Sequence, residues 1–147
     1  MTTRDRISPE RIEHVGIAVQ SLEQAVPLYR DILGLEWLGE EIVESEQVRV
    51  AFFRLGEVKV ELLEPLSPDS PIARFLEKRG QGIHHIALKV EEIEGELKRL
   101  SDSGIQLIHD QPKRGAKGAK VAFIHPQSTK GVLYELCEPR TDRETDR

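Results

Sequence analysis

Two histidines and two glutamates in this chain are spaced to act together. His14 opens His14-Val15-Gly16-Ile17-Ala18-Val19, and His85 opens His85-Ile86-Ala87-Leu88-Lys89-Val90, 71 positions later. Glu61 heads Glu61-Leu62-Leu63-Glu64-Pro65, and Glu135 heads Glu135-Leu136-Cys137-Glu138-Pro139, 74 positions later. Large apolar residues alternate with other residues in these segments, the mark of strands with one buried face. Val15, Ile17 and Val19, with Ile86, Leu88 and Val90, claim the helix-packed face, as do Leu62 and Leu136. His14, His85, Glu61 and Glu135 then point the other way, beside the small residues Gly16, Ala18 and Ala87. Two imidazoles and two carboxylates suit a borderline divalent ion such as Co²⁺, Ni²⁺, Mn²⁺ or Zn²⁺. Around a six-coordinate ion, four such ligands leave two positions for water or substrate. A lone carboxylate in an apolar strand is costly without a partner, which favours a shared site over four separate buried residues.

The remaining candidates read as structural. His84 adjoins His85 but faces the opposite side of its strand, so it is expected to pack. His109 and His125 fall near strand ends, at expected surface positions. Cys137 shares the inward face with Glu135 and reads as a small buried hydrophobe.

Elements that hold such a set must themselves repeat. Val50-Ala51-Phe52 and Val121-Ala122-Phe123 supply a further match at the offset of 71, so the chain is an internal repeat. Each half reads as βαβββ. In the first, a strand over 12–19 leads to a helix opened by the capping pair Ser21 and Gln24. Leu22, Ala25, Val26, Tyr29 and Leu33 recur at helical spacing, and Gly34 suits the left-handed position after the helix. Pro27 removes an interior hydrogen bond and is expected to kink it. Strands follow near 36–43, 47–55 and 57–64, with a tight turn at Gly56. The second half gives a strand over 84–90, a helix near 92–102 ended by Gly104, and strands near 105–109, 119–125 and 131–138. A short linking helix is capped by Ser70, has Pro71 first, and stops at Gly80. The expected fold is α+β, one domain over residues 1–147. Its tandem modules, about 11–66 and 82–139, form a cupped, barrel-like mixed sheet with helices outside, followed by a polar, frayed tail over 140–147.

Composition excludes several classes. The 147 residues are 38% hydrophobic and 32% charged, which suits a packed soluble domain rather than a disordered tract. No apolar run approaches the roughly 18 residues of a membrane span. The start of the chain has no apolar signal core and carries Asp5 and Glu10, so a cytoplasmic protein, or a mature organelle-matrix form, is expected. One cysteine forbids an intrachain disulfide, and a net charge of −5 argues against general nucleic-acid binding.

The chain resembles the vicinal oxygen chelate superfamily (glyoxalase/bleomycin resistance/dioxygenase) and, within it, the methylmalonyl-CoA epimerases. The likeness runs over about residues 11–139 and rests on Glu13–Leu35, Val60–Leu76, Gly82–Val90 and Lys113–Pro139. It implies a divalent metal, with Co²⁺ favoured, held by His14, Glu61, His85 and Glu135, and interconversion of (2R)- and (2S)-methylmalonyl-CoA. Glu61 stands where some epimerases have glutamine. Val50 stands where some members have a glutamate proposed as acid/base, so Glu61 and Glu135 become the candidate bases. Between Gln111 and Tyr134 no acidic residue occurs, and Lys113, Arg114, Lys117 and Lys120 are candidates for CoA phosphates. A homodimer is the expectation from the resemblance. Rival readings are a glyoxalase I-type isomerase and a non-enzymatic drug-binding module. The module needs an aromatic-lined cleft, and one Trp, two Tyr and four Phe supply little of it.

Overall fold

The fold is that of a computed structural model, which describes residues 6–141. The expected frayed tail lies outside the described residues from 142 onward. The chain divides into two compact units. One is His14–His85, and the other combines the residues before His14 with those from Ile86 onward.

In the unit His14–His85, β1 (Arg11–Ala18) runs parallel to β4 (Val58–Pro65), with Gly16 opposite Glu61. Hairpin pairing adds β3 (Val48–Leu55) and then β2 (Glu36–Val43), both antiparallel. Helix α1 (Leu22–Pro27) starts at Ser21, whose hydroxyl accepts the Gln24 N–H, as the capping pair predicts. Its Leu22 and Val26 bury against Val19, Ala51, Phe53 and Leu62. Helix α2 (Pro71–Arg79) is capped by Ser70 and stopped at Gly80, which takes the positive φ of 75° that favours glycine. Val50 is buried on β3.

The other unit repeats the plan. Strand β5 (Gly82–Lys89) pairs in parallel with β8 (Tyr134–Glu138), with Ala87 opposite Glu135. Strands β7 (Lys120–Ile124) and β6 (Lys113–Arg114) follow antiparallel. Helix α3 (Ile93–Asp102) sets Ile93 and Leu97 against Val90, Ala122, Ile124 and Leu136. Ahead of β1, Ile7 packs on this cluster, the Ser8 N–H bonds Glu96 Oε2 at 2.6 Å, and the Glu10 N–H bonds the Lys89 carbonyl at 2.8 Å. Within the respective units the strands take the orders β2-β3-β4-β1 and β5-β8-β7-β6, each a mixed arrangement of parallel and antiparallel pairs in an α+β fold. Among the described residues, no helix is long and apolar enough to cross a membrane.

The repeat also fixes how each helix begins. The Leu22 N–H donates to Glu64 Oε1 at 3.0 Å, and the Ile93 N–H donates to Glu138 Oε1 at 3.1 Å. Each Glu-x-x-Glu segment thus turns its first carboxylate to one face and its last to a helix start, where anionic charge is favoured.

Two expectations are corrected. The helix does not run regularly to Leu33. It stops at Pro27, and residues 28–32 form a wider π turn whose Leu33 N–H reaches back to the Leu28 carbonyl. Proline has no N–H to continue the α ladder. The wider turn rotates Leu33 to solvent, and Leu35 packs on the core in its place. The strand expected over 105–109 reduces to a single bridge, Leu107 to Ile124. Its backbone bonding is irregular: the Ile108 and His109 N–H groups share the Phe123 carbonyl of β7, the Gln106 N–H goes to Ser128 Oγ, and the Gln106 carbonyl accepts the His125 N–H. The third strand of this half is β6 instead.

Candidate active site

Three of the four predicted residues meet within the unit His14–His85. All three are at least nine-tenths buried. Strand alternation and register explain the meeting. Glu61 lies opposite Gly16, two residues beyond His14 on the same face, as its repeat-mate Glu135 lies opposite Ala87, two beyond His85. His14 and His85 present Nε2 to Nε2 at 3.1 Å, with ring planes at 87°. On the other edge of His14, Nδ1 stands 3.3 Å from Glu61 Oε2.

Gly16 makes the imidazole pair possible. A Cβ at Gly16 would fall 2.2 Å from His85 Cε1 and within 2.7 Å of both ring nitrogens. The sequence suggests that small neighbours leave room for a ligand; at Gly16 the room is taken by the His85 ring.

His85 is held well below the usual imidazole range, first by burial and then by the neighbouring His14 and His84. Burial, and secondarily the charge of Arg79, pulls His84 down to about 4. Both rings are therefore neutral near pH 7, the form that ligates metal. Two nitrogens each about 2.1 Å from one ion stand roughly 3.0 to 3.4 Å apart, for octahedral and tetrahedral angles respectively. The 3.1 Å between the two Nε2 atoms lies in that range, so the donors present fit a divalent ion.

His84 is the residue that sequence reading undervalued. Its Nδ1 stands 3.0 Å from His85 Nδ1, while its ring meets Phe75 of α2 edge-on at 5.1 Å. The adjacent histidines are the only signal in sequence, and strand alternation alone argues against a contact between them.

In the other unit, Glu135 is buried on β8, opposite Phe123 as well as Ala87. Cys137 is buried among Ala87, Ala119 and Val121. His109 and His125 serve the backbone, accepting the Phe123 and Gln127 N–H groups at Nδ1.

The basic stretch is divided by strand alternation. Lys113 pairs with Val121, which pairs with Cys137, so Lys113 shares the face of Glu135. Burial lowers its ammonium pKa, against the raising effect of the Glu135 carboxylate. Arg114 pairs with Lys120 on the opposite face. Lys120 Nζ bonds Glu94 Oε1 at 2.9 Å, with Glu138 Oε2 at 3.9 Å. Arg114 Nη1 donates to the Gly118 carbonyl at 2.6 Å, and Lys117 sits exposed with φ of 57°.

The family model described as Glyoxalase/Bleomycin resistance protein/Dioxygenase superfamily matches residues 13–123. The uncharacterized protein YqjC of Bacillus subtilis is 51% identical over 136 residues, 92% of this chain and 97% of that protein. The ethylmalonyl-CoA/methylmalonyl-CoA epimerase of Cereibacter sphaeroides is 44% identical over 128 residues, 86% of this chain and 96% of its own. Among solved structures, a variant of the Streptomyces coelicolor methylmalonyl-CoA epimerase in complex with 2-nitronate-propionyl-CoA matches with a TM-score of 0.88 at 34% identity. That match covers 91% of this chain and 97% of the other.

Proposed function

The chain belongs to the glyoxalase/bleomycin resistance protein/dioxygenase superfamily, and from that premise we propose that it is a metal-dependent epimerase of methylmalonyl-CoA. The observation that carries the reading is the buried His14–His85 pair, Nε2 to Nε2 at 3.1 Å, with Glu61 against His14. Epimerases at 44% and 34% identity support the substrate class. His14, His85, Glu61 and Glu135 are the proposed ligands, and Co²⁺ is the proposed ion. When bound, a divalent ion supplies electrophilic stabilisation of the negative charge that develops on the thioester oxygen.

Glu61 and Glu135 are the proposed bases, one for each face of C2. One carboxylate takes the C2 proton, and the C–H electron pair delocalises onto the thioester carbonyl. The other, protonated beforehand, returns a proton to the opposite face, which inverts the centre. Each turnover exchanges their protonation states, so the reverse reaction starts from the product arrangement. Arg114 and Lys117, both exposed, are proposed to meet the CoA phosphates. Lys113 and Lys120, candidates with them, also face carboxylates, those of Glu135 and Glu94. The proposed assembly is a homodimer, which sedimentation tests.

The deciding experiment is an epimerisation assay on protein stripped of metal and then reloaded. About one divalent ion per chain is expected, with turnover lost on stripping and in His85→Ala, and regained on reloading wild type. Full turnover by the stripped protein overturns the reading. Parallel assay with the glutathione hemithioacetal of methylglyoxal separates it from a glyoxalase I activity.

A further inference from the structure

The candidate centre extends one residue further along the chain than its ligands. Within the unit His14–His85, polar contacts run from Glu61 to His14 at 3.3 Å, from His14 to His85 at 3.1 Å, and from His85 to His84 at 3.0 Å. Donor and acceptor roles along this line are constrained. An ionised carboxylate only accepts, so Glu61 draws a proton to Nδ1 of His14 and leaves the His14 Nε2 lone pair exposed to an ion. His85 must also offer a lone pair at Nε2, which requires its own proton to sit on Nδ1. The group facing that Nδ1 is Nδ1 of His84, in hydrogen-bond range.

We propose that His84 is a positioning residue: its Nδ1 receives the His85 Nδ1–H, which fixes the tautomer and ring plane that make His85 Nε2 a metal ligand. The role rests on the metal-centre reading above.

Geometry separates this role from packing. Neighbouring residues on a strand leave on opposite faces. His84 accordingly lies on the α2 side, edge-on to Phe75 at 83°. Its ring stands perpendicular to that of His85, which turns Nδ1 back toward the site. Packing on Phe75 needs an aromatic ring but no nitrogen; the contact with His85 needs a nitrogen or oxygen acceptor but no ring.

The test exploits that difference. His84→Phe keeps a ring against Phe75 and removes the acceptor. His84→Asn removes the ring and keeps an amide near the position of Nδ1. Metal-free wild-type and variant proteins are titrated with Co²⁺, following the visible d–d absorption and competition with a chelator. His84→Phe is expected to bind roughly ten- to a hundredfold more weakly, the usual loss when the partner of a ligating histidine is removed. His84→Asn is expected to stay within about threefold of wild type. Wild-type affinity in His84→Phe, or the reverse order of the two variants, overturns the proposal in favour of packing. A readout without any variant is the ¹⁵N spectrum of the zinc-loaded wild type. A His85 protonated at Nδ1 supports the role, and one protonated at Nε2 overturns it. Failure of the metal centre itself looks different: His85→Ala then binds Co²⁺ as wild type does, or wild type binds none.

Discussion

A single methyl group at Gly16 is enough to disturb the candidate centre. Its carbon would overlap the His85 ring at 2.2 Å, so Gly16→Ala must push the imidazole away from His14. Metal affinity is expected to fall at least about tenfold, with an overpacking cost of roughly 1–3 kcal/mol in thermal unfolding. Wild-type Co²⁺ affinity in that variant would show that His85 needs no such seat. The glutamates are separated by a different measurement. Glu61→Gln and Glu135→Gln keep an oxygen able to coordinate but cannot accept the C2 proton. With metal retained, each should lose epimerisation by roughly a hundredfold or more. Each should still exchange the C2 proton of one epimer with solvent deuterium, and the two should prefer opposite epimers. A metal-loaded, fully active Glu61→Gln would reduce Glu61 to a ligand. The faces of the four residues were legible in sequence because a strand alternates strictly, and the burial of Leu62 and Leu136 confirms which side packs on helices. The turn of His84 Nδ1 toward His85 was not legible, because it depends on side-chain torsions that alternation does not encode.

Among the elements, α1 and α3 depend on carboxylates supplied by distant strands. Glu64→Ala and Glu138→Ala each remove an acceptor from a helix start, the Leu22 and Ile93 N–H groups respectively. Each should cost about 1 kcal/mol of stability, seen as a lowered Tm, and leave Co²⁺ affinity unchanged. A loss of metal binding in either would tie helix seating to the centre. Most element positions could be read from period and punctuation, as at Ser70, Pro71 and Gly80 around α2. Two departures have local causes. The turn after Pro27 widens where the α ladder lacks an N–H, which no count of apolar spacing reveals. Residues 105–109 have the apolar alternation of a strand, yet side-chain and turn acceptors at Ser128 and His109 take part in their hydrogen bonding and that of the facing strand.

For the whole molecule, charge and chain order matter most. On a protein of net charge −5, the proposed CoA substrate, a polyanion, calls for a local basic surface. The double variant Arg114→Ala with Lys117→Ala is expected to raise KM several-fold at low salt and leave kcat nearly unchanged. Lys120→Ala, which removes the contact to Glu94, should leave KM unaltered. Unaltered KM in the double variant would assign Arg114 and Lys117 to solubility. The segment ahead of β1 carries a consequence of another kind. Ser8 is anchored by Glu96, a partner 88 residues further along, and Ile7 and Glu10 are seated by the same late unit. At about 5–20 residues per second, a ribosome releases these first residues roughly 4–18 seconds before the residues that receive them. The pairings of β4 with β1 and β3, and of β3 with β2, by contrast join residues that are all made before Ile86. The beginning of the chain is therefore among the last parts to be locked in place during synthesis, and until then Ile7 remains open to chaperones and proteases.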